Sequence, residues 1–196
     1  MNKRVPLEPD ADLVQLYISR FDSDEGLVHA DLAIKKLLAQ FSRNTDLDEV
    51  WLKVVAVNQL YNTNIMATYN VAKHIQNLGV DSLLHQGDSS AVDIIAKVQI
   101  GSKVWRFYSF ATKYCSFHAP DHYPIYDQYV DRLLNAYRRR NKFAMFSSQD
   151  LKNYSIFKDV LRQFQTHFGL QGFSSKQLDQ FLWMYGRELF VQSTKK

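Results

Sequence analysis

Cysteine is almost missing from this chain: Cys115 is the only one in 196 residues, which excludes an internal disulfide. Lying inside an apolar stretch, it reads as a small buried hydrophobe. Only four prolines and seven glycines occur. All four prolines and five of the glycines fall where elements break: Pro6 and Pro9 in a lead-in arm, Pro120 and Pro124 in one turn, and Gly79, Gly87, Gly101, Gly169 and Gly172 between helical stretches. No apolar run approaches membrane-spanning length, and the opening MNKRVPLEPD lacks the apolar region of a secretory signal. A reducing cytoplasm is therefore the expected compartment. A glycine-rich phosphate loop, a His-Glu-x-x-His motif and a Cys/His cluster at ligand spacing are all missing. His74, His85, His118 and His122 are scattered, so neither a metal nor a cofactor is expected.

What is present is apolar and aromatic: 46% hydrophobic residues and 14% aromatics are enough for a substantial core. Helical spacing begins near Asp10 with Leu13, Leu16, Tyr17 and Phe21, and continues over 27–42 with Leu27, Leu32, Ile34, Leu37, Leu38 and Phe41. The most hydrophobic helix runs from Leu47 to Tyr61, with Asp46 or Thr45 as its cap. Further helices are expected over 64–78, 89–100, 153–168 and 174–193. No strand pattern persists and no repeat is visible, so the fold should be all-α. The formal charge of +4 permits a polyanionic partner without requiring one.

The stretch Phe107–Leu134 carries the most information. It reads as an aromatic helix, a turn with Pro120 and Pro124, and an amphipathic helix with Asp127 at its start. An aspartate there is first of all a helix cap, because its oxygen satisfies an orphan amide of the first turn. It is also an acid whose direction two helices and a proline turn would fix. At the far end of the same helix Arg138, Arg139, Arg140 and Lys142 gather four cations, either complementing the helix dipole or contacting phosphates. A second polar concentration, Asn58, Gln59, Tyr61, Asn62 and Asn64, ends the most hydrophobic helix and is too dense for capping alone to explain.

These features resemble the helix-hairpin-helix DNA glycosylase superfamily. There a Pro-Val-Asp or similar triplet opens a helix and carries the catalytic aspartate; here Tyr123-Pro124-Ile125-Tyr126-Asp127 stands at that place, followed by Val130, Leu133 and Leu134. The family's early core helix, an aliphatic run followed by Gln-x-Thr-Asp and then Ala-Lys, is matched by Val54–Val57, Thr63-Asn64 and Ala72-Lys73, with Tyr61 where the Gln usually stands. The resemblance covers about Val54 to Leu134. It implies a two-lobed helical fold forming one glycosylase-like unit over 1–196, its cleft near 58–64 and 103–131. Bifunctional members carry a Schiff-base lysine where Tyr108 stands, nineteen residues before Asp127, so the resemblance implies a monofunctional enzyme. The single cysteine excludes the four-cysteine iron-sulfur cluster of some members.

By the same resemblance Asp127 would stabilise the positive charge left on the sugar as the base departs and would orient water. Asn58, Gln59, Tyr61, Asn62, Asn64 and Tyr126 would form the base pocket. Lys103, Arg106, Lys113, Arg138, Arg139, Arg140 and Lys142 would meet the phosphates. The partner implied is double-stranded DNA bound by a monomer, with no membrane. The family's Gly-x-Gly hairpin turn is missing from Lys103–Phe107, so the hairpin is degenerate. Among members lacking those glycines the chain is most similar to bacterial phage-defence glycosylases that excise glucosylated hydroxymethylcytosine from modified phage DNA. A repair glycosylase for oxidised or alkylated bases and a non-catalytic helical DNA-binding or protein-interaction module are the alternatives.

Overall fold

The computed structural model describes residues 5–191. Its elements are mostly helical: α1 (Ala11–Asp22), α2 (Glu25–Gln40), α3 (Leu47–Leu60), α4 (Thr68–Leu78), α5 (Asp81–Gln86), α6 (Ser90–Ala96), β1 (Lys97–Ile100), β2 (Lys103–Arg106), α7 (Tyr108–His118), α8 (Gln128–Asn141), α9 (Tyr154–His167) and α10 (Ser175–Val191). The last two residues of the helix expected over 174–193 lie outside the described residues.

One expectation is corrected. The helix expected to reach residue 100 stops at Ala96, and β1 pairs antiparallel with β2 in the register Lys97↔Arg106 to Ile100↔Lys103. The two-residue connection places Gly101 at φ 60, a left-handed position that glycine adopts without steric cost. Each strand is only four residues long; Lys97-Val98-Gln99-Ile100 alternates polar and apolar residues but Lys103-Val104-Trp105-Arg106 does not, so no strand pattern persists in the sequence. Helix α4 also begins later than expected, at Thr68, because Asn62 and Asn64 adopt left-handed conformations at φ 48 and 57.

The chain divides into two compact units, Met1–Glu25 with Tyr126–Lys196, and Gly26–Ile125. In the first, discontinuous unit α10 packs between α1 and α8. Tyr17 of α1 lies 4.9 Å from the Tyr185 ring and 6.1 Å from that of Phe181, both on α10. Arg20 and the Tyr17 hydroxyl both reach Glu188. The arm before α1 is tied to the same layer, since Leu7 accepts from the Tyr137 hydroxyl and donates to that of Tyr185. Gly186 permits a close approach: a Cβ there would lie 2.8 Å from the Tyr129 carbonyl oxygen on α8.

In the second unit α3 packs on α4 and α7, and α6 on α7. Asp46 caps α3, accepting from the amides of Asp48 and Glu49. The core holds Val50, Val54, Val57, Val71, Ile75, Ile95, Phe110, Ala111 and Cys115. Cys115 is fully buried, and burial pushes its thiol well above the ordinary range, so it is inert packing.

Candidate functional site

Asp127 sits at the N-cap of α8 in extended backbone, φ −143 and ψ 159, and its Oδ1 accepts from the Tyr129 amide at 2.7 Å. The chain leading to it is held by its tyrosines. Tyr123 is buried and donates its hydroxyl to the carbonyls of Leu83 and Asp88, and Pro124 follows at once. Tyr126 is also buried, its ring edge-on to Phe157 at 5.6 Å and its hydroxyl donating to Asp131 at 2.6 Å. Asn135 then donates to the other Asp131 oxygen and accepts from Ser148. Tyr126 thus begins a polar ladder along α8 that braces its first two turns. The residue that anchors Asp127, Tyr129, is itself the one pressed against Gly186 of α10.

The cations separate into three groups. Lys103, Arg139 and Lys142 are exposed. Arg106, Arg138 and Arg140 are engaged with protein groups: Arg106 with Asp93 and the Tyr108 ring, Arg138 with the Phe146 carbonyl and ring, and Arg140 with the Pro6 carbonyl and Glu8. Lys113 does not join an exposed set. It is only 5% exposed and donates to the Ser109 hydroxyl one turn earlier, which withdraws its ammonium from a surface phosphate.

The amide-rich segment has a local explanation. Asn58 donates to the Ile65 carbonyl and accepts from the Ile65 amide and the Thr63 hydroxyl, so both ends of its amide hold the loop together. Asn62 and Asn64 supply the two left-handed turns, the conformation asparagine tolerates best after glycine. Gln59, Asn62 and Asn64 are exposed, while the Tyr61 ring packs tilted against that of Phe117 at 4.8 Å and burial raises its phenol pKa. Tyr108 is buried under Arg106 with its phenol pKa likewise raised by burial.

A polar network in the second unit is not foreseen from the sequence. Lys53, 1% exposed, donates to the carbonyls of Phe41 and Arg43 and to Asn44 Oδ1, using all three ammonium donors. Asn44 also accepts from the Tyr114 hydroxyl and donates through its backbone and side-chain nitrogens to Asp81. Burial lowers the Lys53 pKa to about 8, with Asp81 and Glu49 opposing the shift. The His118 ring packs tilted against that of Tyr114 at 5.0 Å, and its Nε2 is buried with no hydrogen-bond partner. Burial first, and then the Lys53 ammonium, lower its pKa to about 4. An open cavity of about 370 Å³ lies over this network, lined by Ser42, Arg43, Thr45, Asp81, Leu84, His85 and His118. No group of three His, Cys, Asp or Glu side chains able to hold a metal ion occurs among the described residues. The signal was present in the sequence: Lys53 interrupts the buried positions Val50, Val54 and Val57 of the most apolar helix.

A family model described as HI_0787_N, N-terminal domain, matches residues 13–122. A protein of Haemophilus influenzae, described as uncharacterized, is 43% identical over 151 residues, covering 76% of this chain and 72% of its own. No solved structure matches the chain.

Proposed function

The chain belongs to the HI_0787_N family, and from its own residues we propose that it is a monofunctional DNA N-glycosylase with Asp127 as the catalytic carboxylate. The observation that carries this reading is the anchoring of Asp127, whose Oδ1 is fixed on the Tyr129 amide at the first turn of α8. A carboxylate fixed in this way can oppose charge without first reorganising.

In the proposed reaction the bond between the base nitrogen and the sugar's anomeric carbon breaks, and its electron pair leaves with the base. The sugar is left electron-poor, and Asp127 stabilises it through space. Water then adds to the anomeric carbon and loses a proton to the carboxylate or the departing base. Tyr108 offers no amine, so no imine forms and the strand stays intact at an abasic site. Double-stranded DNA is the partner, with the exposed Lys103, Arg139 and Lys142 facing phosphates. The first substrate to test is glucosylated hydroxymethylcytosine, as in modified phage DNA, followed by oxidised and alkylated bases.

The same cap hydrogen bond favours a second reading, a non-catalytic helical DNA-binding module in which Asp127 only starts α8. Asp127→Asn separates the two, because asparagine caps a helix as well as aspartate but carries no charge. Wild-type and variant protein are incubated with modified and unmodified duplexes, and abasic sites are revealed by alkali. The glycosylase reading expects excision to fall at least about a hundredfold in the variant while DNA affinity and melting temperature hold. Undiminished excision by Asp127→Asn, or no excision of any of these bases by the wild type, would overturn it. Strand cleavage without alkali would contradict the monofunctional assignment.

A further inference from the structure

The polar groups around the open cavity of the Gly26–Ile125 unit divide into a satisfied floor and an unsatisfied wall. Beneath the cavity Lys53, Asn44 and Tyr114 are each 1% exposed and meet at the Asn44 amide oxygen. On the wall, the side chains of Ser42, Arg43, Thr45 and His85 make no hydrogen bond or ion pair with the other described residues. His118 completes the wall, and its Nε2 is buried without a partner. Five side chains with unused hydrogen-bonding capacity therefore border about 370 Å³ of space, a volume within the range of small-molecule sites.

Charge selects the occupant. Lys53 directs its three donors at two carbonyls and one amide oxygen, all neutral, so its buried ammonium has no direct ion pair. Arg43 adds a second cation, whose planar fork no described residue engages. Against them the wall carries one carboxylate, Asp81, whose oxygens already accept from the backbone and side-chain nitrogens of Asn44. One positive charge is left in excess. We infer that the cavity binds a small organic acid with a single carboxylate, its two oxygens held by the Arg43 fork and the hydroxyls of Ser42 and Thr45. A phosphate monoester brings about two negative charges, one more than the wall offsets, and Asp81 repels the second. A cationic ligand would meet Arg43 on the wall and Lys53 beneath it. The site uses nothing of Asp127, so it stands or falls apart from the glycosylase reading.

The test is a titration of the full chain with glycolate, followed by NMR of isotope-labelled histidine and lysine. Glycolate should move the His118 ring and Lys53 side-chain signals along a saturating curve, with a dissociation constant of about 1 mM or tighter. A bound anion favours the charged form of a nearby amine, so occupancy should also raise the Lys53 titration midpoint above about 8. Arg43→Met keeps the backbone carbonyl that Lys53 uses and should weaken binding about tenfold or more. Ser42→Ala, at a second exposed position, should weaken it by a smaller factor. Lys36→Met removes an equal charge from the exposed surface of α2 and should leave the affinity unchanged. All three variants should melt with the wild type when no glycolate is present.

Shifts that rise without saturating, or that sodium chloride reproduces at the same ionic strength, would reduce the effect to screening and overturn the inference. Undiminished affinity in both Arg43→Met and Ser42→Ala, or an equal loss in Lys36→Met, does the same. A tighter response to inorganic phosphate or to duplex DNA than to glycolate would assign the wall to phosphates instead, and saturable binding of methylammonium in place of glycolate would reverse the charge argument. Base excision by the wild type, present or absent, bears on none of these outcomes.

Discussion

His118 is a titratable ring held where a proton is unwelcome: its Nε2 is buried and unpartnered, and the Lys53 ammonium, which persists up to about pH 8, stands near it. Its pKa falls from 6.5 to about 4 on folding. Between those values the unfolded chain binds a proton that the folded chain refuses, so stability is complete above pH 6.5 and is lost as the pH drops toward 4. The cost saturates near roughly 3 kcal/mol below that range, since each tenfold weakening of proton binding is worth about 1.4 kcal/mol. His118→Phe keeps the ring against Tyr114 and removes the titration. Denaturant melts at a series of pH values should therefore show the variant's stability falling less steeply over that window, by about one proton. A parallel fall in wild type and variant would mean that the ring is readily protonated in the folded state. Nothing in the sequence marked His118, because its environment comes from Lys53, Asp81 and Tyr114, of which the first two are distant along the chain. Lys53 was more legible, being a lysine among buried valines of one helical face. The amides of 58–64 show the opposite error. Asn58, Asn62 and Asn64 form a conspicuous string, but their roles in turn and loop geometry are local, and a dense run of asparagines is what such a loop requires.

Helix α8 was the most legible element, because capping and the amphipathic stripe are local chemistry: Asp127 at the N-cap, Val130, Leu133 and Leu134 inward, and arginines in the last turn. The hairpin β1–β2 was the least legible, since its strands are four residues each and only Lys97–Ile100 alternates polar and apolar residues, a run too short to stand out from a helix. What the sequence concealed about α8 is its support. Tyr129 donates its amide to Asp127 and turns its carbonyl toward Gly186, where a Cβ would come within 2.8 Å of that oxygen and 3.1 Å of its carbon. Both contacts are backbone, so a methyl group at 186 must push the helices apart. Alanine gains about 1 kcal/mol of helix propensity over glycine, but overpacking typically costs about 1–3 kcal/mol. Gly186→Ala should therefore lower the melting temperature, while Gly172→Ala, with nothing within 4 Å of its Cβ, should not. Because the displaced backbone belongs to the residue anchoring Asp127, any excision activity should fall in the Gly186 variant as well. A Gly186→Ala protein that melts at or above the wild-type temperature would show that α8 and α10 are not in this close contact.

At the scale of the molecule the chain leaves one compact unit after α1, completes a second over Gly26–Ile125, and returns to the first. The first unit therefore depends on a segment that precedes the whole of the other in sequence. Helix α1, packed on α10, buries Val14, Tyr17 and Ile18, and the arm before it gives Leu7 to the hydroxyls of Tyr137 and Tyr185. Burying three such side chains is worth about 6 kcal/mol, comparable with the entire stability of many small domains. The Gly26–Ile125 unit gains nothing from those contacts, for its core of Val50, Val54, Ile75, Ile95 and Phe110 lies within one continuous stretch. Deleting residues 1–25 should consequently have an uneven effect. Amide hydrogen exchange should accelerate throughout α8, α9 and α10, while the amides of α3, α4 and α7 keep most of their protection. Adding a peptide spanning residues 5–25 should restore the slow exchange in α10 in proportion to its concentration, as mass action requires. A uniform loss of protection in both units would mean that the chain folds as one cooperative body, and that the division seen in its contacts has no counterpart in its energetics.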